Sequence, residues 1–214
     1  LVGSEMCIRD SEGVITINGK DVTRLPPKDR NLSMVFQNYA LMPNLTVSEN
    51  IVFGLTARHT AKTLRQKKLQ EVLSLVHLEP YKNKKPGNLS GGQRQRVSLA
   101  RALVSDAKII LMDEPLSNLD VQLRNTSREE LVKLHNLYRP TFIYVTHDQI
   151  EAMTIGHRIA VMNKGVLQQI DTPEKIYNQP VNIFVAKFIG IPQINIVRVN
   201  IVEDEVIYLS LIHI

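Results

Sequence analysis

Near the middle of the chain, the run Ile109-Ile110-Leu111-Met112-Asp113-Glu114-Pro115 combines a short apolar stretch with two adjacent acids. Apolar residues without alternation are the pattern of a strand buried on both faces of a parallel sheet. The carboxylates then fall at its carboxyl end, where α/β sheets place their ligands. Adjacent side chains on extended backbone point apart, so Asp113 and Glu114 can take separate roles. One can hold Mg²⁺ through a water while the other polarises an attacking water. Two solvated acids at a strand end are the plainer alternative, and the dipeptide alone does not decide.

Three further groups have the same double character. In Leu89-Ser90-Gly91-Gly92-Gln93, two glycines at a helix start let a ligand approach the backbone, and the free N–H groups with the helix dipole attract phosphate. An ordinary cap with a tight turn reads identically. His147, just after Val145-Thr146, can reach a γ-phosphate or position a water from the end of a strand, or serve the structure only. Gln37, after Phe36, offers an amide to a metal or to solvent.

The elements that must position these groups are legible from periodicity and caps. Gly13 to Gly19 is a short β-rich run ending in Asn18-Gly19, a hairpin signal, and predicts a hairpin near 14–24. Ser33 to Phe36 reads as a strand. Thr46-x-x-Glu49 is a capping box opening an apolar helix, and a second helix is predicted over 62–77 with Leu64, Leu69, Val72, Leu73 and Val76 on its inner side. Ser90-x-x-Gln93 is another capping box, for a helix reaching Val104. A strand at 108–112, a helix at 121–137, a buried β-branched and aromatic strand at 141–146 and a helix from Gln149 follow. Arg158 to Met162 and Val166 to Ile170 form a hairpin through Asn163-Lys164-Gly165. Alternating strands and helices predict a three-layer α/β fold with a parallel sheet.

Composition narrows the function classes. The 214 residues, 43% hydrophobic and 22% charged, suffice for one large domain or a domain and a half, and they exclude wholesale disorder or a fibrous repeat. Apolar runs fall far short of the roughly 20 residues that span a bilayer. A single cysteine, Cys7, excludes an internal disulfide framework, and no basic start with an apolar stretch marks a signal peptide, so a reducing, cytoplasmic setting is expected. Between Arg58 and Arg101, eleven Lys and Arg face two acids, a balance of +9 that exceeds the whole chain's +5. This region can meet phosphates or anionic headgroups, or be a solvated helical face. Only Tyr81 interleaves it, which argues against single-strand nucleic-acid stacking.

Taken in order, the groups resemble the nucleotide-binding subunit of an ATP-binding-cassette (ABC) transporter from about Gly13 to Pro192. Val35-Phe36-Gln37 looks like the family's Q-loop, and Leu89 to Gln93 its LSGGQ motif. Ile109 to Glu114 is similar to the Walker B strand, Ser117-Asn118-Leu119-Asp120 to the D-loop, and His147 to the switch histidine. Finer wording, such as Leu25-Pro26-Pro27-Lys28-Asp29-Arg30 and Tyr144 to Gln149, is similar to the subfamily that energises carbohydrate importers. The resemblance implies a P-loop NTPase-like domain over 12–192 with a helical subdomain over about 42–104, incomplete at its N-terminus. Residues 193–208 look like the start of a regulatory, OB-like β domain.

The resemblance also implies roles. ATP and Mg²⁺ are the expected ligands of a dimer that sandwiches two nucleotides. Glu114 would be the catalytic base, Gln37 would contact the metal and sense the membrane subunit, and Asp113 would hold the metal's water shell. His147 would hold the γ-phosphate. Ser90, Gly91, Gly92 and Gln93 would touch the ATP bound mainly by the other subunit, and Asp120 would link the two sites. The expected partners are a second such subunit, transmembrane permease subunits and, indirectly, a solute-binding protein, with no nucleic acid. The expected location is peripheral, on the cytoplasmic face of the plasma membrane, with the basic region docking there. Relatives that import polyamines or inorganic ions use similar wording, and a non-catalytic subunit completing another's ATP site is a further alternative. Relatives that organise DNA insert long coiled coils between Gln37 and Ser90, and no sustained heptads occur here.

Two departures stand out. No stretch fits Gly-x-x-x-x-Gly-Lys-Ser/Thr, and the only Gly-Lys pair is Gly19-Lys20. In the family that phosphate-binding loop precedes the strand at Gly13, so it is expected upstream of residue 1. Residues 1–11 and 209–214 do not resemble the family and look like translated adaptor sequence. Hydrogen bonds to charged groups contribute roughly 1.5–3 kcal/mol each, whereas a micromolar to millimolar site has only about 4–8 kcal/mol in total. The 214-residue chain by itself is therefore expected neither to bind ATP measurably nor to hydrolyse it. Turnover by the purified chain that disappears in Glu114→Gln would contradict this.

Overall fold

A computed structural model of the protein describes residues 12–190, 194–196, 200–202 and 205–207. The segments 1–11 and 209–214 lie outside them, as does part of 193–208. The chain divides into two compact units, residues 1–147 and 148–214, a division inside the span 12–192 that the resemblance groups as one domain.

The first unit opens with an antiparallel hairpin, β1 (Thr16–Ile17) and β2 (Lys20–Asp21), joined by Asn18 at φ 51° and Gly19 at φ 75°. Positive φ at both turn residues is what a primed hairpin turn demands, and Asn and Gly tolerate it. A parallel sheet follows, built from β3 (Leu32–Val35), β4 (Ile109–Asp113) and β5 (Thr141–Val145) in that order. Val35 pairs with Met112, and Asp113 pairs with Val145.

Between β3 and β4 the chain builds a helical body from α1 (Val47–Ala57), α2 (Lys62–Leu75) and α3 (Gly91–Leu103). Both predicted capping boxes form. Thr46 accepts from the Glu49 N–H, and the Glu49 carboxylate accepts from the Thr46 N–H and hydroxyl, bonds that hold it below the ordinary Glu pKa. Val47, Ile51, Leu55, Val72, Leu73, Leu78, Val97 and Ala100 are buried in one apolar cluster. Asn50 is buried among them. Its Oδ1 accepts from the Met42 N–H (2.8 Å), and its Nδ2 donates to the carbonyls of Met42, Leu45 and Thr46.

Three sequence expectations do not hold. Leu64 is 45% exposed rather than on the inner side of α2. At 100° per residue it stands about 140° around the helix from Leu69, away from the face carrying Leu69, Val72, Leu73 and Val76. Strand β5 is not buried on both faces: α4 (Val121–Tyr138) sets His135 edge-on to Phe142, with ring centroids 5.1 Å apart, while Ile143 and Val145 on the opposite side are each 53% exposed. Burial in β4 alternates as well, with Ile110 and Met112 fully buried and Ile109 and Leu111 half-buried.

The second unit starts with α5 (Gln149–Ile155), capped by Asp148. An antiparallel hairpin follows, β6 (Ile159–Asn163) and β7 (Val166–Asp171), with Lys164 and Gly165 both at positive φ in the turn. Two short helices, α6 (Pro173–Asn178) and α7 (Ile183–Phe188), complete a small core of Ile159, Val161, Ile176, Val185 and Ile189. Beyond it, β8 (Asn200–Val202) and β9 (Glu205–Ile207) pair as an antiparallel hairpin.

Candidate functional site

The sheet register brings the predicted residues together. Val35 opposite Met112 places Gln37 level with Glu114, and Asp113 opposite Val145 places the end of β5 beside them. The Glu114 N–H donates to the Val145 carbonyl at 3.0 Å, which anchors the residue one step past the strand. Three side chains from three strands then meet: the Gln37 Nε2 donates to Glu114 Oε2 at 2.9 Å, and His147 Nδ1 lies 3.1 Å from Glu114 Oε1. The carboxylate is thereby held at both oxygens. His147 stays largely exposed while Glu114 is mostly covered.

Glu114 also sits at φ 43°, a left-handed conformation that costs a non-glycine residue energy. Ser117 holds it there, its N–H and hydroxyl both donating to the Glu114 carbonyl at 3.2 and 2.9 Å. This bend turns the Glu114 side chain away from the alternation of β4. Asp113, still in the strand, is half-buried, and its carboxylate makes no hydrogen bond or ion pair among the described residues.

At the start of α3 the Ser90 hydroxyl accepts from the Gln93 N–H at 3.3 Å, and Gln93 Oε1 accepts from the Ser90 N–H at 2.9 Å. The plain capping function is therefore present. A Cβ on Gly91 would lie 3.6 Å from Leu119 Cδ2 and one on Gly92 3.7 Å from Leu123 Cδ2, ordinary contact distances. Internal packing thus does not demand glycine at either position, whereas close approach of a ligand to this backbone would. Ser90→Ala is expected to cost about 1 kcal/mol of stability and Ser90→Gly only about 0.3 kcal/mol, read as shifts of the urea midpoint. Asp120 caps α4, its Oδ1 accepting from the Leu123 N–H at 2.9 Å.

Two contributors escaped sequence reasoning. Asn118 donates its Nδ2 to the Gln37 carbonyl at 2.8 Å, tying the segment after β4 to the end of β3. Arg101, near the end of α3, donates to the carbonyls of Tyr39 and Ala40 at 2.8 and 2.7 Å. Each links residues more than sixty positions apart, and no local pattern announces such a bond.

A parallel α/β sheet whose carboxyl edge gathers Gln37, Asp113, Glu114 and His147, with a helical body inserted between its strands, defines a P-loop NTPase-like domain. The ABC transporter family model matches residues 4–117, and the chain belongs to that family. Among curated relatives, the oligosaccharides import ATP-binding protein MsmX of Bacillus subtilis is 54% identical over 86% of this chain and 51% of its own length. The diacetylchitobiose uptake system ATP-binding protein MsiK of Streptomyces coelicolor is 48% identical over 91% of this chain and 51% of its own. The osmoprotective compounds uptake ATP-binding protein GgtA of Synechocystis is 50% identical over 91% and 54%. The chain thus spans about half the length of the curated relatives it matches. Among solved structures, the ATP-binding cassette MJ0796, a dimer in a post-hydrolysis state with ADP and Pi, superposes with a TM-score of 0.65 at 30% identity, over 80% of this chain and 81% of that one.

Proposed function

We propose that this chain belongs to the ATP-binding and ATP-hydrolysing subunit that energises an ABC importer of sugars or related carbohydrates. The observation that carries this reading is the Glu114 carboxylate held between Gln37 and His147 at the carboxyl edge of the sheet. Glu114 is the base that takes the proton of the attacking water. The Gln37 N–H and His147 fix the direction of its two oxygens, and a base so oriented needs no rearrangement as the proton moves. His147, largely exposed, is the group that also reaches the terminal phosphate.

The residues present fit Mg²⁺. That ion keeps several waters and takes one or two carboxylates beside the nucleotide phosphates. Among the described residues the Asp113 carboxylate has no partner, and Gln37 donates through Nε2, so that bond leaves its Oε1 to a cation. When bound, Mg²⁺ neutralises charge developing on the phosphate oxygens.

The remaining roles need a second copy. The Gly91 and Gly92 N–H groups, which the capping bonds between Ser90 and Gln93 do not use, open a helix and are suited to the phosphates held by a partner subunit, with the Ser90 hydroxyl, the Gln93 side chain and Asp120 beside that contact. Permease subunits would dock on the helical body, where the basic excess lies. Among the described residues no helix is long and apolar enough to cross a membrane, and a peripheral place at the cytoplasmic face follows from partnership with permeases.

The test is ATP hydrolysis by the transporter in proteoliposomes, with solute-binding protein loaded with different solutes. Stimulation by oligosaccharides or other carbohydrates is expected. Stimulation by polyamines or inorganic ions alone would move the assignment to those importers.

A further inference from the structure

Directly after Gln37 the backbone does something unusual. Tyr39 and Ala40, neither of them glycine, are consecutive residues at positive φ, 62° and 44°. Left-handed residues of this kind are unfavourable and persist only where the surroundings over-determine them. Local bonds supply little of that: the Tyr39 N–H donates to the Phe36 carbonyl at 2.9 Å and the Ala40 N–H to Asn38 Oδ1 at 3.2 Å. The Tyr39 ring is buried, and among the described residues its hydroxyl has no hydrogen-bond partner, a second unfavourable feature of the same two-residue bend.

What holds the bend comes from afar. Arg101 spans both residues, one terminal nitrogen on the Tyr39 carbonyl and the other on the Ala40 carbonyl. A planar guanidinium fork is suited to two adjacent acceptors, and a lysine ammonium is not. Two residues on, Asn50 grips both the N–H and the carbonyl of Met42. The loop is therefore fixed to α1 at Met42 and to α3 at Tyr39 and Ala40, while Asn118 fixes the Gln37 carbonyl. Helix α3 is the helix whose first turn carries Ser90 to Gln93, so its two ends meet two different parts of the proposed ATP cycle.

We infer that Arg101 is a positioning residue: its fork holds Tyr39 and Ala40 in their strained bend and so couples the loop that carries Gln37 to the helix that begins at Ser90. The role in the cycle rests on the reading of Gln37 and Glu114 given above; the clamp itself does not. Without the fork the bend relaxes, and movement of the loop is no longer passed to α3.

Arg101→Lys tests this, because it keeps charge and stem and loses only the fork. Hydrogen exchange in the nucleotide-free assembled transporter should accelerate by about tenfold at the amides of Tyr39, Ala40 and Met42, with those of 94–100 in α3 changed by less than about twofold. Ala40→Gly removes the strain at φ 44°, so in the Arg101→Lys background it should restore at least about half of the lost protection on a logarithmic scale. ATP turnover coupled to the membrane subunits should fall about tenfold while KM for ATP stays within about twofold. Unchanged exchange at 39–42, or exchange that rises equally along α3, would overturn the clamp. Failure of Ala40→Gly to restore protection would do the same. Turnover that survives Glu114→Gln would instead remove the functional reading and leave the exchange result standing.

Discussion

Glu114→Gln in the assembled transporter is expected to lower ATP turnover by about 10²–10⁴-fold while leaving ATP affinity within about threefold. The size of the effect follows from the role: an amide of the same shape cannot take a proton from water. The selectivity follows from the surroundings. Gln37 can still donate to an amide oxygen at this position, and the amide nitrogen can face His147, so the bend at φ 43° and its Ser117 bonds have no reason to change. Single-turnover hydrolysis and equilibrium nucleotide binding measured on the same preparation separate the two quantities. Loss of affinity with turnover preserved would show that Glu114 serves binding and not proton transfer.

The largest expected effect on stability lies in the helical body. Ile51, on α1, is fully buried in the apolar cluster that α1 shares with residues of α2 and α3. Ile51→Ala removes three methyl or methylene groups from a packed site and is expected to cost about 2–5 kcal/mol. Domains are stable by only about 5–15 kcal/mol, so the urea midpoint should fall by a large fraction with little change in slope. A loss below about 1 kcal/mol would mean that the body collapses around the gap. Asn50, the neighbour of Ile51, carries four of the bonds that shape the segment 42–46, so disorder introduced here would spread toward Gln37.

Much of this architecture is local and therefore legible. Thr46 with Glu49 and Ser90 with Gln93 mark their helix starts because the capping bonds join residues three apart. Asn18-Gly19 marks a hairpin because Asn and Gly tolerate positive φ, and Asn163-Lys164-Gly165 marks another through its glycine, at φ 79°, whereas Lys164 at φ 47° is not a residue that favours that conformation. The members of the site were readable as strand-end groups, since Gln37, Glu114 and His147 each follow an apolar run. Leu64 misled because apolar character does not say on which side of a helix a residue stands; that is set by its angle to Leu69 and Val72. The exposure of Ile143 and Val145 was illegible for a different reason, as the sequence of β5 does not record which of its faces α4 covers. Least legible were the Arg101 and Asn118 bonds and the left-handed Tyr39-Ala40 pair, where common residue types adopt an uncommon backbone under forces from distant segments.

The register of the sheet has a consequence for how this protein can vary. Gln37, Glu114 and His147 are aligned by the pairing of Val35 with Met112 and of Asp113 with Val145, with Arg101 and Asn50 fixing the loop after Gln37, and the exposed loops of the helical body take no part in it. The helical body can therefore lengthen, shorten or exchange surface loops without moving Gln37, Glu114 or His147. One residue inserted or deleted within 32–37, 109–114 or 141–147 would instead turn alternate side chains to the opposite face and break the constellation. Tolerance to insertions, scanned along the gene, should thus be high through the loops of the helical body and fall sharply at these three short windows.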